Sequence, residues 1–437
     1  MAVYLTFGYQ QNLDPGIVPY GSLILASTIT SHTLLRRKID KLPHFKNRLF
    51  DPQLYMAGLD PNQSKAVCAT LSSYPWFAVK ELQEFDSDLQ SQANWKKETL
   101  EKMISHWPRK PINPDEEPEL VNDAIRDCID FQLRVGCEAI ILPSPLTSDP
   151  GTDYSHELYW LDRGLEYISS KLISSLPIYA TVALNDNCLR YSDPLANPLL
   201  ALILDTVGAR EINGVYLVVE VGSESNMTRH ISNTRVLWSA LHMTHLFKND
   251  CRIKVGVNFF GPFGLALEAA GADFWATGWY KSEYRLRLAD KIRGGLAYPS
   301  YWSYPAAADI HLENDFDTLN SKGFLNRFAN QTPACAGLLK AASQGARVRS
   351  VPDWQYRTNN VTAAKNHYRY SVIQSENSFG QLSVQARLDY IENQWLSPAA
   401  SLCSQIKSTL GPQAKTNPDH VQAWLDAFTL FRRDHNV

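Results

Sequence analysis

The 437-residue chain lacks the features that assign many proteins to a class directly. Its formal net charge is only −3, so bulk charge predicts no nucleic-acid binding, although a local basic patch is compatible with that value. It has no run of about 18 apolar residues, which a membrane helix would need, and we expect no membrane association. Its first residues lack a basic segment followed by an apolar core, so we expect no signal peptide.

Cysteine pairs and common catalytic motifs are also missing. The seven cysteines are an odd number and show no CxxC or CxC spacing. Most lie in apolar segments, where a thiol behaves as a small hydrophobic group, so we expect a reducing, cytoplasmic compartment. The chain has no Walker A, GxSxG or Cys/His nucleophile signature, and no HxH on its first strand. We expect no cofactor and no bound metal.

Residues 252–287 contain the clearest structural pattern. A β-branched run ends at Gly261 and Pro262, an Ala/Leu-rich helix follows, and Gly271 precedes a second apolar strand. Two strands joined by one helix must be parallel, and parallel strands bury both faces, which fits their continuously apolar sequence. The pattern predicts one βαβ unit.

Similar units can be counted along the chain. We predict strands at residues 3–8, 21–30, 54–59, 138–142, 178–184, 214–221, 252–260 and 273–277. No GxGxxG turn follows the first strand, which favours a closed (β/α)8 barrel over an open doubly wound sheet. The barrel is predicted over residues 1–290, with an insertion at about 61–120. A mostly helical C-terminal subdomain is predicted over residues 291–437.

Polar and aromatic residues follow the predicted strands, at the end of a barrel where working residues lie. Aromatic rings beside carboxylates and amides suit a planar ligand that is stacked on one face and hydrogen-bonded at its edge. The candidates for such a site are Asn185, Asp186, Glu220, Asn258, Phe260 and Trp279. Alternatively, these residues are ordinary loop caps and turns.

Two other kinds of chemistry are compatible with the chain. Asp186 and Glu220 end adjacent strands, so they could serve as the carboxylate pair of a barrel hydrolase or glycosidase. Asp273 is a further candidate for a catalytic carboxylate. His242 and His245 are three residues apart on a predicted helix and could ligate a metal, although an ordinary helix face is the more common explanation.

The order of these segments resembles the tRNA-guanine transglycosylase family. Residues 22–32 (SLILASTITSH) are similar to the strand-2 stretch ILxNTYHL of that family, and residues 214–224 (GVYLVVEVGSE) to GYAIGGLAVGE. Residues 255–262 (VGVNFFGP) with 265–275 (LALEAAGADFW) resemble YLMGVGxPxDLLxAVxRGVDMFD. The resemblance covers about residues 1–290, and it implies a (β/α)8 barrel that binds a guanine-like base.

The chain departs from this family at the residues that carry its chemistry. Base exchange needs one carboxylate as nucleophile and a second as acid/base. At the nucleophile position this chain has Ala276, and for the strand-3 TDSGG motif it has residues 55–58, with Met56. The base-reading Asp of strand 4 is replaced by the region of Ser144. The structural zinc site is reduced to Cys335 and His367.

The resemblance therefore implies a catalytically degenerate member of the family, which binds a purine or 7-deazapurine, a nucleic acid or a partner protein. Divergent members of this kind resemble accessory proteins of bacterial antiphage operons, notably type IV cyclic-oligonucleotide signalling systems. For this chain the resemblance implies a partner protein encoded in the same operon. A stand-alone housekeeping role is equally compatible with the residues.

Two stretches interleave basic and aromatic residues. Residues 281–293 carry five basic and two acidic side chains at helical spacing, and residues 347–357 repeat the mixture. Between them lies an aromatic run, residues 298–304, which could be a stacking platform or a buttress of the barrel rim. We predict that nucleic acid or a protein partner binds here. The candidate contacts are Lys281, Arg285, Arg287, Arg293, Arg347 and Arg349.

Overall fold

The computed structural model describes residues 2–7, 13–36, 47–77, 107, 112–173, 175–225, 229–291 and 297–437. Eight parallel strands within them form one sheet. Their bounds are Ala2–Phe7 (β1), Gly21–Leu25 (β2), Arg48–Asp51 (β3), Ile140–Ile141 (β4), Ile178–Asn185 (β5), Gly214–Glu220 (β6), Lys254–Asn258 (β7) and Phe274–Thr277 (β8).

The sheet curves into a nearly closed barrel. Its strand order is β3-β2-β1-β8-β7-β6-β5-β4, so the first and last strands of the barrel are hydrogen-bonded neighbours. The two outer strands of this order approach each other through a backbone hydrogen bond of 3.0 Å from Glu138 N–H to the carbonyl of Arg48. The predicted (β/α)8 barrel is confirmed.

Helices connect the strands because parallel neighbours can be reached only by a crossover. The helices before β8 are Ser31–Arg36, Lys65–Leu71, Pro118–Val135, Ser155–Ser170, Pro198–Gly208, Thr234–Asn249 and Gly264–Ala269. Local sequence explains their ends. Asn197 caps one helix by accepting from the N–H groups of Leu199 and Leu200, and Pro198 occupies its first turn. Gly136 ends another in the left-handed conformation.

The third strand is where the prediction was wrong. Residues 54–59 form no strand and begin with a 3-10 turn, Leu54–Met56, whereas β3 lies at Arg48–Asp51. Gln53, with φ of 55°, breaks the extended chain between the two. The turn residues are as buried as a strand would be, so hydrophobicity alone does not distinguish them. In consequence Asp51, and not the segment 55–58, ends the third strand.

Large and small residues alternate inside the amino-terminal half of the barrel. The ring of Phe274 lies 5.2 Å from the ring of Tyr4 and 5.5 Å from that of Tyr179, each edge to face. These rings occupy the space that Gly214 and Gly256 leave open, since a Cβ at either glycine would overlap Tyr179 or Phe274. The barrel interior is therefore a packed core at this end.

The predicted insertion, residues 61–120, lies in large part outside the described residues, which omit 78–106 and 108–111. The aromatic residue Trp76, which the structure describes, belongs to the barrel core. Trp76 lies 5.8 Å from Phe50 of β3 and 5.5 Å from Phe131, and its Nε1 donates to the Pro52 carbonyl at 3.0 Å.

After β8 the chain forms a hairpin and a set of helices. The hairpin strands are Ser300–Ser303 and Ala308–His311. The helices are Lys281–Tyr284, Asp315–Ser321, Leu325–Phe328, Ala336–Ser343, Thr362–Phe379, Val384–Asp389, Ser397–Leu410 and His420–His435, with a π-helical stretch at Tyr390–Leu396. The helix predicted over 281–293 ends at Tyr284 in the structure. Within the parts of the chain that the structure describes, every helix is too short or too polar to span a lipid bilayer.

The last helix packs on the barrel helix Thr234–Asn249. Trp424 Nε1 donates to the Ile231 carbonyl at 2.9 Å. His242 Nδ1 lies 2.9 Å from His435 Nε2, and the ring of His245 lies 4.2 Å from that of His435. Burial lowers the pKa of His242 to about 4. These imidazoles therefore join two helices, and the described residues contain no group of three or more side chains arranged to hold a metal ion.

A buried pair of carboxyl groups joins the barrel to the helix Thr362–Phe379. Trp275 Nε1 lies 3.2 Å from Glu268 Oε2 and 3.4 Å from Glu376 Oε2. Arg387 Nη1 lies 3.7 Å from Glu268 Oε1. Burial, followed by the adjacent Glu376, raises the pKa of Glu268 well above its ordinary value. Glu268 therefore keeps its proton to a higher pH than an ordinary glutamate does.

We expect Glu268→Gln to stabilise the protein at pH 8 by about 1–3 kcal/mol. The glutamine amide can donate a hydrogen bond to Glu376 at every pH, whereas the glutamate carboxyl can donate only while it is protonated. The pKa of Glu268 is higher in the folded than in the unfolded state, so its favourable contribution is complete below the unfolded value of 4.5 and declines as pH rises. Urea unfolding from pH 5 to pH 8 should show a smaller loss of stability in the variant. Glu211→Gln, an exposed control, should keep the wild-type slope; equal slopes for all three proteins would disprove the assignment.

Candidate functional site

The carboxyl-terminal ends of the strands bring a row of hydrogen-bonded polar groups into the barrel. Asn258 Nδ2 donates to the Tyr216 hydroxyl at 2.8 Å, and that hydroxyl donates to Asp51 Oδ2 at 2.8 Å. The Tyr55 hydroxyl donates to the same oxygen at 2.6 Å. Gln53 N–H donates to Asp51 Oδ1 at 3.1 Å. The row thus crosses the barrel from β7 through β6 to β3.

The carboxyl group of Asp51 has an unusual affinity for protons. It is completely buried, and burial raises its pKa to about 6, although the hydrogen bonds from Tyr55 and Tyr216 act in the opposite direction. Catalytic and ligand-binding acids of barrel proteins commonly lie at the carboxyl ends of strands, and burial commonly raises their pKa toward neutrality. Asp51 has both properties.

Asp51 lies at the mouth of the barrel, which is the end formed by the carboxyl ends of the strands. Lys291, which is buried, and a second carboxylate, Glu283, lie at the same end. Burial lowers the pKa of Lys291 to about 8, against the attraction of Glu283 and Asp51. Its Nζ donates to the Ser282 carbonyl at 2.8 Å and lies 4.7 Å from the centre of the Phe259 ring. The Glu283 carboxylate accepts from Tyr280 N–H at 3.0 Å, and burial raises its pKa. Lys291 is therefore a cation at the mouth that interacts with two carboxylates, Glu283 and Asp51.

Three of the predicted site residues form a neighbouring cluster. Asn185 and Glu220 are register partners on β5 and β6, and Asn185 Nδ2 donates to Glu220. Glu220 also accepts from Leu288 N–H at 3.0 Å, and burial followed by the charge of Asp186 raises its pKa. Asp186 accepts from the N–H and hydroxyl of Ser223. The prediction that Asp186 and Glu220 lie together is confirmed, and both carboxylates have protein partners.

The other predicted ligand contacts lie in the same half of the barrel but are not open surfaces. Asn258 belongs to the row described above. Phe260 is buried before the 3-10 turn Gly261–Phe263. One face of Trp279 is covered by the Arg229 guanidinium, 4.7 Å from its ring centre, and the same guanidinium lies 4.4 Å from the Tyr284 ring. Trp279 is therefore a buttress in this structure and not an exposed stacking platform.

Asp273 does not belong to this site. It precedes β8, so it lies at the amino-terminal end of the barrel, opposite the mouth. Its carboxylate pairs with Lys248 Nζ at 2.6 Å and accepts from Val255 N–H at 2.9 Å. The proposal of Asp273 as a catalytic candidate was wrong, because its position at the start of a strand places it away from the other polar groups.

The predicted basic surface divides into an engaged part and an exposed part. Lys281, Arg285 and Arg287 converge on Asp290, at 3.2, 2.9 and 2.9 Å. Arg285 is completely buried, so it contributes nothing to an exposed surface. Arg293 lies outside the described residues, whereas Arg347 and Arg349 are exposed.

Cys335 and His367 lie together without forming a tetrahedral site. The Thr332 hydroxyl is 2.8 Å from His367 Nδ1 and 3.5 Å from Cys335 Sγ. His367 Nε2 is 2.8 Å from the Trp302 carbonyl, so protein groups occupy both ring nitrogens. Burial lowers the pKa of His367 to about 4. These two residues are structural.

Three groups of the mouth were not predicted as site residues: Asp51, Glu283 and Lys291. Asp51 had a usable signal, because it follows the apolar pair Leu49-Phe50 and precedes Pro52, as expected where a buried strand ends. Glu283 and Lys291 had none, since both lie in a charged stretch that is typical of a solvated helix face.

Comparison with known proteins assigns no family to the chain. No family model matches the sequence, and no curated protein matches it at a significant level. The function must therefore be argued from the mouth of the barrel.

Proposed function

We propose that the protein binds the base of a purine or 7-deazapurine at the barrel mouth and does not exchange bases by the covalent mechanism of the transglycosylases that it resembles. The observation that carries this proposal is the buried row of Asn258, Tyr216, Asp51 and Tyr55 beside Lys291. It offers a carboxylate, an amide and a cation, next to the Phe259 ring, to the edge and face of a planar heterocycle.

Asp51 is the group best suited to a purine edge. Above its pKa of about 6 it is an acceptor for the ring N–H and exocyclic amino group of a guanine-like base. The tyrosine hydroxyls that now bond to it already hold the carboxylate in one orientation. A base would replace part of these hydrogen bonds and gain the charge-assisted contact.

Access to the row requires movement of the segment 278–291. This segment crosses the mouth: Leu286 pairs with Glu220, Leu288 N–H donates to the same residue, and Lys291 lies over Phe259. Asp51 and Asn258 are completely buried beneath it. The proposal therefore includes an outward displacement of this segment when a base enters.

The absence of base exchange is proposed from Ala276. This residue lies on β8 in register with Asn258 of β7 and Tyr4 of β1, at the position where the resemblance requires the nucleophile. A methyl group can neither attack a sugar carbon nor transfer a proton. Asp51 ends the third strand and is the carboxylate that we propose for the role of the family's strand-3 acid, whereas the region of Ser144 and the pair Cys335 and His367 still depart from the family.

Calorimetric titration with 7-deazaguanine and guanosine tests base binding. We expect the wild type to bind, with affinity that increases from pH 5 to pH 7 as Asp51 ionises. Asp51→Asn should bind about 10- to 100-fold more weakly, because a hydrogen bond to a charged acceptor is lost. Asp205→Asn, an exposed control on the helix Pro198–Gly208, should bind as the wild type does.

Two outcomes would contradict the proposal. One is a wild type that binds neither ligand over this pH range. The other is unchanged affinity in Asp51→Asn, provided that circular dichroism shows both variants to be folded.

Hydrolysis of an N-glycosidic bond is the second candidate function. The observation that favours it is the presence of two buried carboxyl groups with raised pKa, Asp51 and Glu283, around Lys291. Unlike the pair Asp186 and Glu220, this pair acts on a shared buried lysine. Release of free base from nucleosides, abolished by Asp51→Asn and by Glu283→Gln, would establish this alternative.

A role as an accessory factor in antiphage defence, with a partner encoded beside it, also follows only from the resemblance. We propose it as the biological setting in which a base-binding barrel without base exchange would act.

A further inference from the structure

Two stretches of sequence that are far apart meet on the surface of the C-terminal region. The rings of Tyr298 and Tyr356 stack at 4.5 Å with an interplanar angle of 17°. Asn359 N–H donates to the Ala297 carbonyl at 2.8 Å and holds the two stretches together. Tyr298 remains 39% exposed, so the structure presents an aromatic ring to solvent with its other face supported.

The ring of Tyr356, which supports Tyr298, is held in place by contacts with His311. The Tyr356 hydroxyl lies 3.0 Å from His311 Nε2, and the two rings are 4.7 Å apart. His311 ends the hairpin strand Ala308–His311, which is a rigid element. Tyr298 thus rests on a stack that continues into the hairpin. The rest of the aromatic run differs, since Tyr301 and Trp302 are completely or almost completely buried and serve as core.

Three exposed arginines lie along the same stretch: Arg347, Arg349 and Arg357. None of them takes part in the ion pairs found between described residues, whereas Lys281, Arg285 and Arg287 all pair with Asp290. Gln355 Nε2 donates to the Arg349 carbonyl at 2.9 Å, which links the arginines to the segment that carries Tyr356. This positive charge is therefore available to a ligand.

Arg347 and Arg349 also line an open cleft of about 810 Å³. Its walls include amide and hydroxyl side chains, among them Asn314 and Asn320. Its two carboxylates are engaged elsewhere: Asp317 Oδ1 accepts from Val348 N–H at 2.9 Å, and Glu313 pairs with Lys415. The cleft is therefore lined by polar side chains and by two cations.

We propose that this surface, formed by Tyr298, Tyr356, Arg347, Arg349 and Arg357, binds single-stranded nucleic acid. An unpaired base stacks on Tyr298, and the arginines contact phosphates, the combination by which proteins hold single strands without reading their sequence. A duplex does not offer a free base face for the ring. An acidic peptide would use the arginines but gain nothing from the stacked tyrosines.

This surface is separate from the barrel mouth but close to it along the chain. Six residues lie between Lys291 and Tyr298, so their Cα atoms are at most about 25 Å apart. The inference does not rest on base binding at the mouth, and each can fail without the other.

Fluorescence anisotropy with a labelled twelve-residue oligothymidylate tests the inference. The wild type should bind at low salt, and Tyr298→Ala should weaken binding about 5- to 100-fold, the effect of losing one stacked base. Tyr298→Phe keeps the ring and should stay within about twofold of the wild type. Tyr191→Ala removes a comparably exposed tyrosine from another part of the chain and should have no effect.

The arginines are tested by salt dependence. Each lost phosphate contact should reduce the slope of log affinity against log salt by about 0.7, so Arg347→Gln with Arg349→Gln should reduce it by about 1.4. Arg252→Gln, exposed before β7, is the matched control and should leave the slope unchanged. The proposal is overturned if the wild type does not bind, if Tyr298→Ala binds as the wild type does, or if a polyglutamate peptide competes equally well and Tyr298→Ala has no effect.

Discussion

Incorporation of labelled guanine into tRNA by the wild-type protein is expected to stay at background. The position at which the resemblance requires a nucleophile is Ala276, a buried residue of β8 in register with Asn258 and Tyr4. Removal of a nucleophile typically costs three or more powers of ten in rate, so residual exchange should be undetectable over hours. The assay compares the wild type with Ala276→Asp on several tRNAs under identical conditions.

Comparison of the wild type with the variants shows how any guanine incorporation should be interpreted. Incorporation by Ala276→Asp alone would mean that the mouth still binds both substrates and lacks only the carboxylate. Incorporation by the wild type would refute the proposed lack of exchange and demand another nucleophile. Glu283 would then be the first candidate, because its carboxylate lies at the end of β8 beside Thr6 and Gly278. Loss of activity in Glu283→Gln, with activity retained in Asp273→Asn, would assign it.

Asp309→Ala is expected to destabilise the protein by about 2–4 kcal/mol, because it leaves the largely buried guanidinium of Arg229 and the buried imidazole of His230 without their carboxylate. Asp309 lies 3.4 Å from Arg229 Nη1 and 3.1 Å from His230 Nε2, and it accepts from the Ser300 hydroxyl at 2.8 Å. Burial alone would raise the pKa of Asp309, but Arg229, His230 and Ser300 lower it to about 2. The carboxylate is therefore charged at neutral pH.

Urea unfolding measures this effect, with Asp353→Ala as an exposed control that should change stability by less than about 0.5 kcal/mol. The double variant Asp309→Leu with Arg229→Met should recover part of the loss, because it removes both charges together. Arg229 also packs between the rings of Trp279 and Tyr284. The ion pair with Asp309 therefore helps to hold these two aromatic residues in place. A change below about 1 kcal/mol in Asp309→Ala would mean that water solvates Arg229 adequately.

The barrel could be predicted because its evidence is local. Apolar runs of strand length alternate with amphipathic stretches, and caps such as Asn197-Pro198 and Asn233 mark where helices begin. The bounds of the strands Ile178–Asn185 and Gly214–Glu220 agree with prediction to within one residue. These features depend on neighbours along the chain, which a sequence displays directly.

The third strand could not be placed by such evidence. Leu54 and Met56 are as apolar as strand residues, but Gln53 adopts the left-handed conformation before them. Its side-chain Oε1 accepts from Ser27 N–H at 2.7 Å, across 26 residues of sequence. A contact made only after the strands assemble thus determines where β3 ends, and with it the position of Asp51.

By itself the sequence determined a parallel (β/α)8 barrel with polar groups at the ends of its strands, because periodicity and caps are properties of short segments. Only the tertiary structure decided which of those groups act together. Asp51 meets Tyr216 across 165 residues of sequence, and Tyr298 meets Tyr356 across a separation that no local pattern encodes. Arg285 and Arg347 look alike in the sequence, yet one is buried against Asp290 and the other is exposed. Burial and pairing depend on closure of the barrel and on packing of the C-terminal helices, so the chemistry of each charge is set by neighbours that are distant in the chain.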